Sequence, residues 1–162
     1  MNVDHFTHNS TQVINIGYDP KPSMTQRDTE YLRAHNKRRR TWHEMHNKTY
    51  VPLQWSQKLA EESLVWAYEL LNECNSTDIE HEHGVLEGEN LAKNVGNFAG
   101  WGQLYPPENI VRRWVDFEVG WLYPANAHLT QALWRGSKYM GTFSYSYSIH
   151  VYFYFYIFFT EI

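Results

Sequence analysis

The residues with the clearest chemical potential are a glutamate at the end of a predicted helix and a histidine that follows it. The apolar stripe of this helix comprises Ile110, Val111, Trp114 and Val115. Helical spacing continues the stripe to Glu118, whereas Asp116 points away and is the alternative carboxylate. A buried carboxylate is costly without a partner, and His128 is near enough in sequence to bind Glu118 across a turn. The pattern fits a solvent-exposed glutamate at a helix end equally well, so both interpretations stay open.

A second pair of the same chemical types, His83 and Glu89, lies upstream on either side of a glycine-containing segment. His81 competes with His83, because alternation in an extended segment would point both rings the same way. Ordinary surface positions are the alternative, since the chain has nine histidines. If both pairs met, the two imidazoles would suit zinc, and the carboxylates could bind the ion or orient its ligands. The same groups could instead perform acid–base chemistry on a water, or form a purely structural hydrogen-bonded network.

Length and composition predict a single globular domain. A chain of 162 residues can enclose one core, and its 43% hydrophobic and 20% charged residues are typical of a folded protein. The net charge of −4 predicts no nucleic-acid partner. We interpret the basic run Lys37–Arg40, inside a predicted helix, as a solvated face. The single cysteine, Cys74, excludes an intrachain disulfide, and no signal peptide is visible at the N-terminus.

The elements that would position these groups follow from caps and periodicity. Residues 1–24 are predicted to be a flexible arm. Thr25 and Asp28 predict a helix that runs to about His46, and Ser56 caps a second helix with an apolar stripe. The remaining predicted elements are a strand at 89–92, a third helix opened by Pro107, a short helix or turn at 128–134 and a strand from 138.

The C-terminal residues have an unusual aromatic composition. From Phe143 to Phe159 the sequence contains no Gly, Pro, Asn or Asp, so no turn can be placed there. This composition predicts one long strand covered on both faces, or a misread exon boundary. The run is too short to span a membrane.

Four ordered motifs resemble those of the CAP superfamily, which comprises cysteine-rich secretory, antigen 5 and pathogenesis-related-1 proteins and is also called the SCP domain. They are His35-Asn-x-x-Arg39, Pro52-Leu-x-Trp55 followed by Leu59-Ala60, His83…Gly88-Glu-Asn-Leu91, and Asn126-Ala-His-Leu-Thr-Gln-Ala-Leu-Trp134. The resemblance implies an α+β fold, a three-layer α-β-α sandwich. Residues 25–142 would form the CAP/SCP domain, and residues 143–162 an aromatic tail that leaves the C-terminal strands incomplete.

The sequence departs from the family pattern at three places. Asn-Ala replaces the usual Gly before His128, and Thr142 stands where a family Cys would be. The family usually places its helix glutamate three residues after the Trp, which here is Phe117. We keep Glu118 for this role because of the helical stripe.

The resemblance also implies a function. His83, Glu89, Glu118 and His128 would form the family's cavity tetrad, with His83 and His128 binding zinc. In sterol-binding members a loop before the third helix lines a lipid site, and here it would offer Phe98, Trp101, Leu104 and Tyr105. The expectation is a secreted, non-enzymatic module that binds a divalent metal and a sterol or other lipid. The alternatives are a metal-assisted hydrolase that uses the same tetrad and a protein-interaction module whose tetrad is only structural.

Overall fold

The structure is a computed structural model that describes residues 23–73, 79–96, 106–146 and 151–161. Nearly all of the predicted arm, residues 1–22, therefore lies outside the described residues. The elements are α1 (Gln26–Met45), β1 (Gln54–Trp55), α2 (Gln57–Glu73), β2 (Gly88–Gly96), α3 (Pro107–Val115), α4 (Ala127–Leu133), β3 (Ser137–Ser146) and β4 (Val151–Glu161).

The helix starts that capping predicted are confirmed. Asp28 N donates to Thr25 Oγ1 (3.2 Å) and Thr25 N donates to Asp28 Oδ2 (2.9 Å), which forms a capping box at α1. Ser56 Oγ accepts from Leu59 N (3.3 Å) at the start of α2, and Pro107 opens α3. These caps satisfy amide groups that have no partner inside the helix.

The four strands form one mixed sheet with the order β1-β3-β4-β2, in which β1 and β3 are parallel and the other neighbours are antiparallel. Ala92 and Met140 pack in a core cluster with α1, α3 and α4. Leu91 packs on the other face with Ala67 and Leu70 of α2. The predicted α-β-α sandwich is therefore confirmed, with a small sheet between α2 and the other three helices.

The aromatic tail differs from the single long strand that its composition predicts. Residues 143–159 are divided between β3 and β4, and residues 147–150 between them lie outside the described part. β4 pairs with β3 on one side and with β2 on the other. A central strand satisfies its backbone groups on both edges, and this pairing decides the arrangement more strongly than turn-forming composition does.

The basic run at 37–40 is not a solvated face, and that interpretation is wrong for two of its four members. Arg38 is 7% exposed and Arg39 is fully buried, whereas Lys37 and Arg40 face solvent. Arg38 Nη2 donates to Glu108 Oε1 (2.9 Å) at the start of α3 and to Asp116 Oδ2 (2.8 Å) at its end. Arg38 therefore joins α1 to both ends of α3.

The guanidinium of Arg39 binds backbone carbonyls in place of a carboxylate. Its four bonds run from Nε to Val51 O (3.0 Å), from Nη1 to Ala132 O and Trp134 O (2.9 Å each), and from Nη2 to Ser137 O (3.1 Å). Burial lowers the pKa of Arg39 to about 10, which still leaves it charged at neutral pH. One side chain thus holds α1, the segment before β1, the end of α4 and the start of β3 together.

His35 lies one turn before Arg39 and is also buried. Its Nδ1 donates to Tyr31 O (2.9 Å), and its ring lies 6.1 Å from that of Trp114. Burial lowers the pKa of His35 to about 4, and the charges of Arg38 and Arg39 act in the same direction. The imidazole is therefore neutral at pH 7.

Gly141 in β3 allows the sheet to approach α2 closely. A Cβ atom built at this position would lie 2.1 Å from Ala60 N and 2.4 Å from Leu59 C, both in the helix backbone. No rotamer change can relieve such a contact, so only glycine fits here.

Replacing Arg39 with Met should reduce the free energy of unfolding by about 3–5 kcal/mol, because each buried carbonyl left without a donor costs about 1–3 kcal/mol and the relief of burying a charge offsets part of the sum. The substitution leaves four carbonyls without their donor. The free energy lost with these hydrogen bonds is larger than the free energy gained because a charged group no longer has to be buried. Urea unfolding followed by circular dichroism measures this difference.

Arg33→Met is the matched control, because Arg33 is an exposed position of the same helix. It should change the free energy of unfolding by less than about 0.5 kcal/mol. Equal midpoints for the two variants would show that the carbonyls find other donors.

The buried neutral His35 should make the protein less stable as the pH falls. The folded-state pKa of about 4 lies below the ordinary value of 6.5, so between these values the unfolded chain binds a proton that the folded protein does not. This difference should cost about 2 kcal/mol between pH 7 and pH 5. Below about pH 4 the loss from this group should level off.

Unfolding free energies of the parent, His35→Gln and His83→Gln should be compared across this range in EDTA. Only His35→Gln should flatten the slope, since His83 is exposed. His81, whose pKa is raised mainly by its bond to Glu89, contributes with the opposite sign and is common to all three proteins. An unchanged slope in His35→Gln would refute the assignment.

Candidate functional site

Glu118 and His128 form a hydrogen-bonded pair beyond the end of α3. Glu118 lies in the turn after α3, and its side chain is only 8% exposed. His128 Nδ1 donates to Glu118 Oε1 (2.5 Å), and Leu129 N donates to Glu118 Oε2 (3.0 Å). Both carboxylate oxygens are therefore satisfied by the first turn of α4. Asp116, the alternative carboxylate, binds Arg38 instead.

The imidazole of His128 is held by a ring-stacking contact as well as by its hydrogen bond to Glu118. Its ring stacks on Trp114, with centroids 6.2 Å apart and planes inclined by 18°. Trp114 Nε1 in turn donates to Leu91 O of β2 (3.0 Å). With the proton on Nδ1 facing Glu118, the lone pair is on Nε2, for which no hydrogen bond occurs within the described residues.

Glu89 forms a second pair, and its partner is His81. His81 Nδ1 donates to Glu89 Oε2 (2.6 Å), and Glu82 N donates to the same oxygen (3.2 Å). This bond to Glu89 is the main cause that raises the pKa of His81. Glu89 is 4% exposed in its side chain, and its Oε1 is buried with no partner in the part of the chain that the structure describes.

His83 is exposed and makes no hydrogen bond among the residues described here. It occupies a turn with Gly84, whose φ of +80° suits glycine and reverses the chain direction. The loop is attached to α2 by the bond from Trp66 Nε1 to Glu80 O (3.2 Å), which places His81 beside Glu89. In the structure, therefore, the imidazole that bonds to Glu89 is that of His81.

The two pairs approach β2 from different faces. Asn90 Nδ2 donates to His128 O (3.0 Å), so Asn90 faces α4. Glu89 alternates with Asn90 and shares the face of Leu91, which packs against α2. No described contact links Glu89 or His81 to Glu118 or His128, and the four-residue tetrad with His83 stays a prediction.

The region around Glu89 is strongly negative. Burial raises the pKa of Glu82, and the charges of Glu89, Glu69 and Glu62 raise it further. Glu62 Oε2, like Glu89 Oε1, is buried without a partner among the described residues. Such a concentration of carboxylates favours a cation or the protonated form of His81.

The described residues contain no group of three or more His, Cys, Asp or Glu side chains arranged to hold a metal. The groups that could bind a metal ion are the imidazoles of His81 and His128, whose Nδ1 atoms are already hydrogen-bonded to carboxylates. This arrangement is typical of zinc ligands, because the carboxylate fixes the ring and its tautomer. The predicted lipid-loop residues Phe98, Trp101, Leu104 and Tyr105 lie outside the described residues. No helix that the structure describes is long and apolar enough to cross a membrane.

The structure also contains a groove that sequence reasoning did not identify. It has a volume of about 500 Å³ and lies between the end of α1 and α4. Its lining includes Trp42, His43, His46, Leu129, Leu133 and Trp134. The helical spacing of Trp42 and His46, whose rings stack 5.3 Å apart, was the one signal for it in the sequence.

Solved structures with the same fold share little sequence with this chain. BmVAL-1 has a TM-score of 0.62 at 18% identity, covering 85% of this chain and 79% of its own. NaASP2, whose structure is described as containing Zn²⁺, has a TM-score of 0.57 at 15% identity, with 85% and 82% covered. MpPR-1i has a TM-score of 0.56 at 13% identity, with 81% and 87% covered. No curated protein matches the chain.

Residues 32–159 match the family described as "CAP: Cysteine-rich secretory protein family". The resemblance that the four motifs indicated is thereby confirmed. Because this match extends over more than half of the sequence and the layered architecture agrees with it, the chain belongs to the CAP family of cysteine-rich secretory proteins.

Proposed function

We propose that this protein is a non-enzymatic CAP module that binds a divalent metal, zinc, through His128 and a second imidazole from the loop at 79–87. The observation that carries the proposal is the bond from His128 Nδ1 to the buried carboxylate of Glu118 (2.5 Å). That bond leaves Nε2 as the donor atom, on a side chain that is 37% exposed and accessible to an ion from solvent.

The second imidazole comes from His81 or His83. The motif favours His83, and the bond of His81 Nδ1 to Glu89 makes His81 the alternative, although no described contact links either ring to His128. Both rings belong to a loop beside the edge strand β2, and the unpartnered Oε1 of Glu89 adds a negative charge close by. Waters would complete the coordination of an ion held by two imidazoles.

Zinc binding has support from chemistry and from a relative. Neutral imidazoles with carboxylates behind them suit zinc better than magnesium or calcium, which prefer oxygen ligands. NaASP2, which shares the fold, is described as a complex with Zn²⁺.

A metal-assisted hydrolase is the competing function. The unpartnered Oε1 of Glu89 favours it, since a general base needs a free lone pair near the water that it activates. Glu118 is a poor base, because both of its oxygens already accept hydrogen bonds.

The remaining parts of the proposal come from the family resemblance. Members of this family are generally secreted, and we propose an extracellular location on that basis. A sterol or other lipid bound by Phe98, Trp101, Leu104 and Tyr105 stays a prediction, with a protein partner as the alternative.

Calorimetric titration of the EDTA-treated full chain with zinc tests the metal site. We expect saturable one-site binding that is lost in His128→Ala and weakened about 10–100-fold in Glu118→Gln, because the ring loses its orienting carboxylate. Comparison of His81→Ala with His83→Ala identifies the second ligand. His46→Ala, which removes an exposed histidine elsewhere, is the matched control and should bind like the parent.

Retained binding in His128→Ala, with an unchanged melting temperature, would disprove the assignment. No binding by a well-folded parent would reduce both pairs to structural networks. Ester or peptide hydrolysis by the zinc-loaded parent that disappears in Glu89→Gln would establish the enzyme in place of the non-enzymatic module.

A further inference from the structure

The turn that ends α1 contains an acceptor motif for N-linked glycosylation, the sequence Asn47-Lys48-Thr49. Such a motif consists of an asparagine, any residue except proline, and then a serine or threonine, and it is used on the surface of secreted proteins. Two further motifs of this kind begin at Asn9 and Asn75, and both lie outside the described residues. The motif at Asn47 is therefore the one whose geometry bears on its use.

The backbone of this turn is fixed by main-chain bonds. Asn47 N donates to Glu44 O (3.0 Å) and Lys48 N donates to His43 O (2.7 Å), which is the bond pattern of a Schellman motif at a helix end. Asn47 has a φ of 55°, in the left-handed region where glycine and asparagine are favoured. Because both bonds come from the backbone, the Asn47 carboxamide is not needed to end the helix.

The two side chains on which the motif depends are accessible. The residues from Glu44 to Thr49 are all exposed. Among the residues that the structure describes, no hydrogen bond engages the side chain of Asn47 or Thr49. Asn36 of the same helix differs, because its Nδ2 donates to Leu53 O (2.9 Å) and its Oδ1 accepts from Leu53 N (2.8 Å). A glycan on Asn47 would therefore displace no contact of the folded protein.

We propose that Asn47 is an N-glycosylation site, with a polyprenyl-diphosphate-linked oligosaccharide as the donor. In the transfer, Nδ2 of Asn47 forms a bond to the anomeric carbon of the first sugar and loses a proton. The bond from that carbon to the diphosphate oxygen breaks, and the polyprenyl diphosphate leaves. The inference rests on the extracellular location proposed above, since the transfer takes place inside the secretory pathway.

The competing explanation for Asn47 is its backbone conformation alone. Asparagine is the residue other than glycine that most often occupies a left-handed position after a helix. That role makes no demand on Thr49, two residues further along. An acceptor site needs both side chains, so replacement of Thr49 separates the two explanations.

Expression of the full chain in cultured mammalian cells, directed into the secretory pathway by a cleavable signal sequence, tests the proposal. Every protein carries Asn9→Gln and Asn75→Gln, so that a glycan reports Asn47 alone. We expect the parent of this series to lose mass on treatment with peptide N-glycosidase, with an aspartate left at the linked position. Thr49→Ala should lose the glycan completely, and Thr49→Ser, which restores the hydroxyl, should carry it.

Asn47→Gly keeps the left-handed turn but offers no acceptor nitrogen, so it should lose the glycan and keep the melting temperature of the enzymatically deglycosylated parent. Thr41→Ala, which changes an exposed threonine of α1 outside the motif, is the matched control and should be glycosylated like the parent. Medium and cell fractions are both measured, because transfer precedes secretion. A parent without carbohydrate at Asn47, or a glycan that persists in Thr49→Ala, would overturn the proposal. Since the signal sequence supplies entry into the pathway, a missing glycan counts against Asn47 and not against the proposed location.

Discussion

The rest of the structure depends on the burial of one guanidinium. Arg39 is fully removed from water and binds four main-chain carbonyls in three separate segments. Removing a charge from water is costly, and only the complete set of bonds compensates for it. The segment at Val51, the end of α4 and the start of β3 must therefore reach Arg39 together. This constraint joins α1 to the end of α4 and to the start of β3.

The candidate site inherits its geometry from that constraint. α4 has only seven residues, too few for a stable isolated helix, so tertiary bonds must hold it. Arg39 binds the carbonyl groups at its end, while Glu118 binds Leu129 N and the His128 ring at its start. Asn90 adds a bond from β2. His128 is thus presented by a short element that is attached at both ends, which favours a preorganised ligand.

The second imidazole of the proposed metal site would have a different support. His81 belongs to a loop that is attached to α2 through Trp66 and to β2 through Glu89. Loops carry binding residues because they can adjust, whereas the scaffold fixes the other half of a site.

Local physics was sufficient for the helices. The Thr25 cap, the Pro107 start and the apolar stripe from Ile110 to Val115 involve neighbours within one or two turns, so the sequence by itself determined them. The family motifs likewise indicated the layered architecture. Glu118 is the carboxylate that meets His128, but α3 ends at Val115, so Glu118 lies in the following turn and not on the helix that the stripe predicted.

Only the tertiary structure decided the burial of Arg39, the pairing of His81 in preference to His83, the division of residues 143–159 between two strands, and the exposure of Trp121 and its neighbours. In the first and third cases the decisive partners are remote, since Arg39 meets carbonyls up to 98 residues away and β4 pairs with β2. The choice of His81 depends on the bond that attaches its loop to Trp66 of α2. By composition alone, the basic run at 37–40 would be placed on the surface, and the aromatic residues at 119–125 would be placed in the core. Which of them is buried depends on whether distant groups can satisfy them, and that is a property of the fold.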